Sequence, residues 1–343
     1  MTAADNEFLT YEASGVDTSR NDDAVDVFKR AAKLTMSPHV VGGIGHFAGG
    51  FSLKAFKGME DPVLVSSTDG VGTKVMIAIK HGRSERIGID LVGMVINDLL
   101  CLGARPLFML DYIGIHKIEK ELVAQIAEGL AEGCRQAECA LVGGETAEMN
   151  DLYSPGEYDL VGFGVGVIDK HKIIDGSAIR SGDKLVALAS SGIHSNGFSL
   201  VRKIIDTRFG GDYEADVPEL EGGLLETILE PTKIYVKPVL AALEKFAING
   251  IVHNTGGGIP ENLPRVLPKG LAPRVDWSAI EDTPPIFDLL QQWGPVETKE
   301  MQKTFNMGVG MILVIRPELA EEAVSFFKSI GEKSFVIGDI VEG

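Results

Sequence analysis

Strand-like runs in this chain repeatedly end in glycine, and that habit narrows the folds open to it. It appears in SSTDGVGTK (Ser66–Lys74), LVGGETAEM (Leu141–Met149), ALASSGIHSNGFSLVRKI (Ala187–Ile204) and VHNTGGGIPENLPRVLP (Val252–Pro268), and in the last two a helix start follows. Glycine supplies 41 of 343 residues, well above the usual share of about 7%. Apolar periodicity predicts helices over 21–34, 87–102, 119–138, 198–209, 232–246, 286–293 and 317–330. It predicts strands over 62–68, 107–115, 140–142, 160–168, 185–189, 250–253, 309–315 and 334–340. Strands and helices alternate in both parts of the chain, which implies two α/β or α+β domains and excludes a bundle or an all-β fold. A length of 343 residues exceeds what one core usually serves. The expected domains are 1–168 and 169–343, joined through 171–183.

Charge excludes several partners. The net charge is −17, from 49 acids against 32 bases, and the deficit is spread over both parts. Neither part is a basic module, so nucleic acid and anionic membrane are poor partners. A nucleotide triphosphate would need Mg²⁺ against that background. The longest apolar stretch, Gly93–Leu110, is interrupted by Asn97, Asp98 and Arg105, so no membrane span is expected. Met1–Arg20 carries acids without an apolar core and reads as neither signal nor transit peptide. Three cysteines, Cys101, Cys134 and Cys139, fit a reduced, cytoplasmic protein.

In SSTDGVGTK a strand turns through two glycines, exposing backbone amides beside Thr73 and Lys74, the groups a phosphate chain requires. The alternative is a tight turn with a solvated lysine; Asp69 favours a bridging cation. In the next helix, Asp90 and Asn97 fall about 20° apart around the axis and about 10.5 Å apart along it, with Asp98 to one side. Apolar residues surround this stripe, so its acids need cations or hydrogen-bond donors. Metal binding is one reading; a buried network to neighbouring loops is the other. Glu145 repeats the theme of Asp69 after Gly143 and Gly144. In SSGIHSNG, the serines, Asn196 and the helix start suit a phosphate monoester, with His194 at the mouth. Gly256 and Gly257, after Thr255, point to close approach of a ligand. Gly43-x-Gly45-x-x-Ala48 matches a dinucleotide fingerprint only formally.

Together these segments resemble the phosphoribosylformylglycinamidine cyclo-ligase (aminoimidazole ribonucleotide synthetase) family. The motifs are YEASGVD (Tyr11–Asp17), GGIGHFAG, SSTDGVGTK, GIDLVGMVINDLLCLGARPLFMLDY, EGCRQAECALVGGETAEM, SSGIHSNGFSLVRK, PTKIYVK (Pro231–Lys237), TGGGIPENLPRVLP and TFNMGVGM (Thr304–Met311). They span nearly the whole chain; His46 and Ser67 depart from the family pattern. The resemblance implies an N-terminal α/β domain pairing into a homodimer and a C-terminal ferredoxin-like α+β domain. It implies ATP-dependent closure of formylglycinamidine ribonucleotide to 5-aminoimidazole ribonucleotide, ADP and phosphate through an iminophosphate, in purine synthesis.

On that reading Lys29, Gly43, Gly45, Asp69, Gly70, Gly72, Thr73, Lys74, Asn97 and Asp98 contact ATP, and Asp69, Asp90, Asn97 and Asp98 hold Mg²⁺. Ser190, Ser191, Gly192, Ser195, Asn196, Thr255, Gly256 and Gly257 contact the substrate. Lys74 assists the chemistry, and His194, His253 and Glu145 are the candidate proton acceptors. The sister families are alternatives. Selenophosphate synthetase usually carries a reactive cysteine near its N-terminus, and residues 1–100 here contain none. Thiamine-monophosphate kinase differs in its substrate. A non-catalytic nucleotide-binding regulator is disfavoured by the intact acidic stripe.

Overall fold

The computed structural model describes residues 18–44, 48–281 and 283–343. Helix α1 (Thr18–Lys33) leads into a short ribbon of β1 (Val40–Val41) and β2 (Gly50–Phe51). Then follow β3 (Pro62–Gly70), α2 (Lys74–His81), α3 (Ile87–Leu100), β4 (Arg105–Ile115), α4 (Lys120–Gln136), β5 (Ala140–Glu148) and β6 (Tyr158–Asp169). The four long strands form one sheet in the order β3-β6-β4-β5. Only β4 and β5 run parallel, with α4 as their crossover. Helix α3 lies across this sheet, and all of it except Ile89 and Asp98 is buried. Its near-uniform apolar sequence suits an element enclosed on several sides.

Glycine lets these layers approach. A Cβ on Gly162 or Gly164 of β6 would stand 2.9 or 2.8 Å from Val95 of α3. One on Gly88 would stand 2.2 Å from the Leu130 backbone nitrogen of α4. On the opposite face of the sheet Leu64, Tyr112, Val161 and Phe163 are exposed, Leu64 by 60%.

The second unit contains β7 (Lys184–Ala189), α5 (Phe198–Phe209), α6 (Leu224–Ile228), α7 (Val236–Leu243), β8 (Ile248–His253) and α8 (Gly258–Asn262). It continues through β9 (Leu271–Val275), α9 (Ile286–Trp293), α10 (Thr298–Thr304), β10 (Val309–Ile315), α11 (Pro317–Ser329) and β11 (Ser334–Glu342). Its sheet is antiparallel throughout, in the order β8-β10-β7-β11-β9. Strands β8 and β10 are buried at every residue. Leaving out β9, the order is that of a βαββαβ unit. One hydrophobic cluster runs from α3 and α4 into α5, α7 and the face of this sheet. Among the described residues no helix is long and apolar enough to cross a membrane.

The departures from the sequence reading are local. Helix α2 was not expected, because its first turn coincides with the glycine motif. Strand β5 continues through Gly143 and Gly144 to Glu148, held by parallel pairing with β4. Helix α7 starts at Val236 instead of 232. Thr232 is held out of it because its amide and hydroxyl donate to Asp90, at 2.7 and 2.8 Å. Elements α6, α10 and β9 were also unforeseen.

Candidate active site

Three chain segments place acidic and imidazole groups together where the two units meet. Asp69 ends β3, Asp98 lies in the last turn of α3, and His253 is the last residue of β8. The His253 ring contacts Asp98 through Nδ1, 2.8 Å from Oδ1. A carboxylate only accepts, so Nδ1 carries a proton and donates it to Asp98. Nε2 is buried without a partner. Asp69 accepts from the Gly70 amide at 2.8 Å. Burial pushes its carboxyl upward, and the nearby Asp98 charge adds to this against the opposing Gly70 hydrogen bond. Two acids repelling across a site suit a cation between them. Among the described residues no three His, Cys, Asp or Glu side chains form a metal cage. Mg²⁺ does not need one, since it takes one or two carboxylates and completes its shell with water and phosphate oxygens.

The remaining polar residues of α3 have another use. Asp90 Oδ1 accepts from Lys74 Nζ (2.9 Å), Ser195 Oγ (3.0 Å) and both the amide and hydroxyl of Thr232. Lys74 is fully buried and also donates to the Glu230 carbonyl at 2.7 Å. Burial lowers its pKa, with the Asp90 charge opposing. Asn97 donates to the Lys233 carbonyl and accepts from the Tyr235 amide, at 2.8 and 2.9 Å. For Asp90 and Asn97 the expected cation therefore gives way to its alternative, a buried network, and Lys74, expected either on phosphate or solvated, is enclosed in that network. That network joins the two units.

The serine loop is likewise engaged internally. Ser190 donates to Asn306, Ser191 to the Pro231 carbonyl and Ser195 to Asp90, so these hydroxyls are not free for a substrate. His194 accepts the Ser191 amide at Nε2 (3.3 Å) in a left-handed conformation (φ 64°). Burial, then the neighbouring His253, holds its pKa well below the usual value. It is a neutral ring whose Nδ1–H is a buried donor without a partner. Asn196 is half-buried, with its side-chain nitrogen 3.9 Å from Met94 Sδ. It faces the Thr255–Gly257 turn: a Cβ on Gly256 would stand 3.1 Å from Asn196 Oδ1. Gly192 is buried, and a Cβ there would stand 3.8 Å from the Glu230 side chain. Thr73 at the start of α2 contacts the Ser199 hydroxyl at 3.3 Å, beside Gly70 and Gly72.

Other expected residues stand apart from this cluster. Glu145 is exposed on β5 and caps the Thr146 amide. Lys29 is half exposed on α1, 3.4 Å from Asp26. A Cβ on Gly43 would meet nothing within 4 Å, while Gly45 and His46 lie outside the described residues. Asn306 was missed. Its amide donates to the Gly192 and Ile193 carbonyls, and its oxygen accepts from Ser190 and Gly308. A polar residue between apolar neighbours in TFNMGVGM was the available signal.

Two units, one α/β and one antiparallel α+β, meeting over an acid–imidazole cluster define an AIR-synthase-like class of fold. Residues 55–168 match the family model "AIR synthase related protein, N-terminal domain", and residues 180–343 match the corresponding C-terminal domain. The phosphoribosylformylglycinamidine cyclo-ligase of Carboxydothermus hydrogenoformans is 49% identical over 98% of this chain and 97% of its own. That of Geobacter sulfurreducens is 48% identical over 97% and 95%. The chain belongs to the AIR synthase related family, in its phosphoribosylformylglycinamidine cyclo-ligase branch. Distant solved structures share the fold. Thiamine-monophosphate kinase from Stenotrophomonas maltophilia has a TM-score of 0.68 at 17% identity, covering 94% of both chains. Hydrogenase maturation protein HypE in complex with ATP has 0.67 at 16%, covering 96% of this chain and 88% of its own.

Proposed function

We propose that this chain closes formylglycinamidine ribonucleotide to 5-aminoimidazole ribonucleotide at the expense of ATP, releasing ADP and phosphate. Near-full-length identity to relatives bearing the cyclo-ligase name carries the reading. The γ-phosphoryl group passes to the formyl oxygen as its bond to ADP breaks and the formamide nitrogen gives up its proton, giving an iminophosphate. An amidine nitrogen then attacks that carbon, and phosphate leaves as the ring forms. His253 Nε2 takes the proton from the attacking nitrogen, and Asp98 holds the ring in the necessary tautomer and stabilises its cation. His194, with Nε2 occupied, donates. Asp69 and Asp98 fit Mg²⁺, which when bound supplies charge neutralisation to the triphosphate. The amides around Gly70, Gly72 and Thr73, together with Lys29, serve ATP. Gly192, Asn196 and the Thr255–Gly257 turn serve the substrate phosphate. The exposed apolar face of the first sheet fits a homodimer, and three free cysteines fit a reducing cytoplasm.

The test is incubation with formylglycinamidine ribonucleotide, Mg²⁺ and ATP, measuring aminoimidazole ribonucleotide and ADP in equal amounts. Turnover of thiamine monophosphate instead would transfer the chain to a sister activity.

A further inference from the structure

Helix α4 ends in a Schellman turn that brings two of the three cysteines together. The Cys139 amide donates to the Cys134 carbonyl at 3.0 Å and the Glu138 amide to the Arg135 carbonyl at 3.4 Å. Glu138 takes the left-handed conformation (φ 52°) that this turn requires. The side chains at the two ends of such a turn touch, a contact ordinarily made by apolar residues. Here both are free thiols, Cys134 wholly buried and Cys139 3% exposed. A hydrogen bond to Cys139, and then burial, push the Cys134 thiol well above its ordinary value, so Cys134 keeps its proton. Two sulfurs in hydrogen-bond contact across a closed turn are near enough to bond without backbone movement. They differ in access. Cys139 lines a cavity of about 290 Å³ together with His39, Phe51, Phe56 and the first residues of β4 and β5. Cys134 is not part of that lining.

We propose that Cys139 and Cys134 form a reversible oxidation site for small hydroperoxides, with Cys139 as the entry thiol and Cys134 as the resolving thiol. The Cys139 sulfur attacks one peroxide oxygen. An S–O bond forms, the O–O bond breaks, and the leaving hydroxide takes up the Cys139 proton as water. Sulfur loses two electrons and the peroxide gains them. The Cys134 sulfur then attacks the sulfenic acid: S–S forms, S–O breaks, and the departing hydroxide takes the Cys134 proton as a second water. The sum is two thiols and hydrogen peroxide giving a disulfide and two waters. Because the turn already holds the sulfurs in contact, the disulfide leaves α4 and β5 in place and spares Cys139 further, irreversible oxidation. Cys101, on its own at the end of α3, has no resolving partner, and burial pushes its thiol up to about 12. The site does not depend on the ring-closure reading.

The experiment treats the folded full-length chain with hydrogen peroxide, blocks the remaining thiols and digests with trypsin without reduction. Arg135 lies between the two cysteines, so peptides 121–135 and 136–170 should appear as one linked species, lighter than their sum by two hydrogens. That species should exceed any oxidised form of Cys101 by at least about tenfold, and excess dithiothreitol should part it. Cys134→Ser leaves the sulfenic acid unresolved, so a 1,3-diketone probe should label Cys139 at least about tenfold more than in the wild type. Cys139→Ser removes the entry thiol and should leave Cys134 unlabelled. If either variant fails to fold, the wild-type digest decides alone. Linkage that forms only in urea, oxidation of Cys101 ahead of the pair, or labelling of Cys134 in Cys139→Ser equal to that of Cys139 in Cys134→Ser would each overturn the inference.

Discussion

One oxygen of Asp90 accepts four hydrogen bonds from residues of both units, and its Lys74 partner is wholly buried. Removing either charge strands the other in the interior. Asp90→Ala should cost about 3–5 kcal/mol, read from the urea midpoint at constant m-value. Asp98 and His253 should behave differently. The Asp98 side chain is 44% exposed, so Asp98→Ala should abolish turnover with little change in melting temperature. His253→Gln should lower kcat by about 10²–10⁴. Unchanged ring closure in either variant would remove that residue from the mechanism. The sequence displays a polar stripe on an apolar helix and the need to satisfy it. It does not display Thr232, Lys233 and Tyr235 as the partners, since these lie some 140 positions away and are set by how the units pack. Nor does it choose among His194, His253 and Glu145. Between the rings that choice depends on which nitrogen is already engaged.

Helices and strands with strong periodicity were legible, and α5, α9 and β10 carry the expected bounds. The failures have specific causes. Helix α2 hides behind a glycine motif, and α7 loses its first turn to Asp90. The glycine-rich β6 reads as a strand, but why it needs glycine is visible only once α3 lies on it. Gly88→Ala should show how closely α3 and α4 approach. The added methyl meets backbone, which cannot rotate away, so a loss of at least about 1–3 kcal/mol is expected in denaturant unfolding. The β4–β5 pair holds Asp111, whose carboxyl titrates near 7 when folded. Unfolded, it titrates near 3.9, so between about pH 4 and 7 the folded chain holds an extra proton and this contribution falls as pH rises. The stability of wild type minus that of Asp111→Asn should decline by on the order of 4 kcal/mol across that range, then level off. A flat difference curve would contradict a buried neutral acid.

At the scale of the molecule, Leu64, Tyr112, Val161 and Phe163 form an exposed apolar patch on the first sheet. Phe163→Asp, in the middle of β6, should convert the proposed dimer to a monomer by sedimentation while leaving the β3–β6–β4–β5 sheet intact. A dimer that persists would place the interface elsewhere. The continuous core also explains why two domains read from the sequence do not imply two independent bodies: α3 belongs to both. The Asp90 network then bears on synthesis as well as stability. Translation delivers Lys74 and Asp90 long before Thr232, an interval on the order of ten seconds at about 5–20 residues per second. Throughout that time the donors from Ser195 and Thr232 that satisfy Asp90 in the folded chain do not yet exist. The first half should therefore stay open on the ribosome, and slow codons between residues 100 and 230 should raise its capture by chaperones.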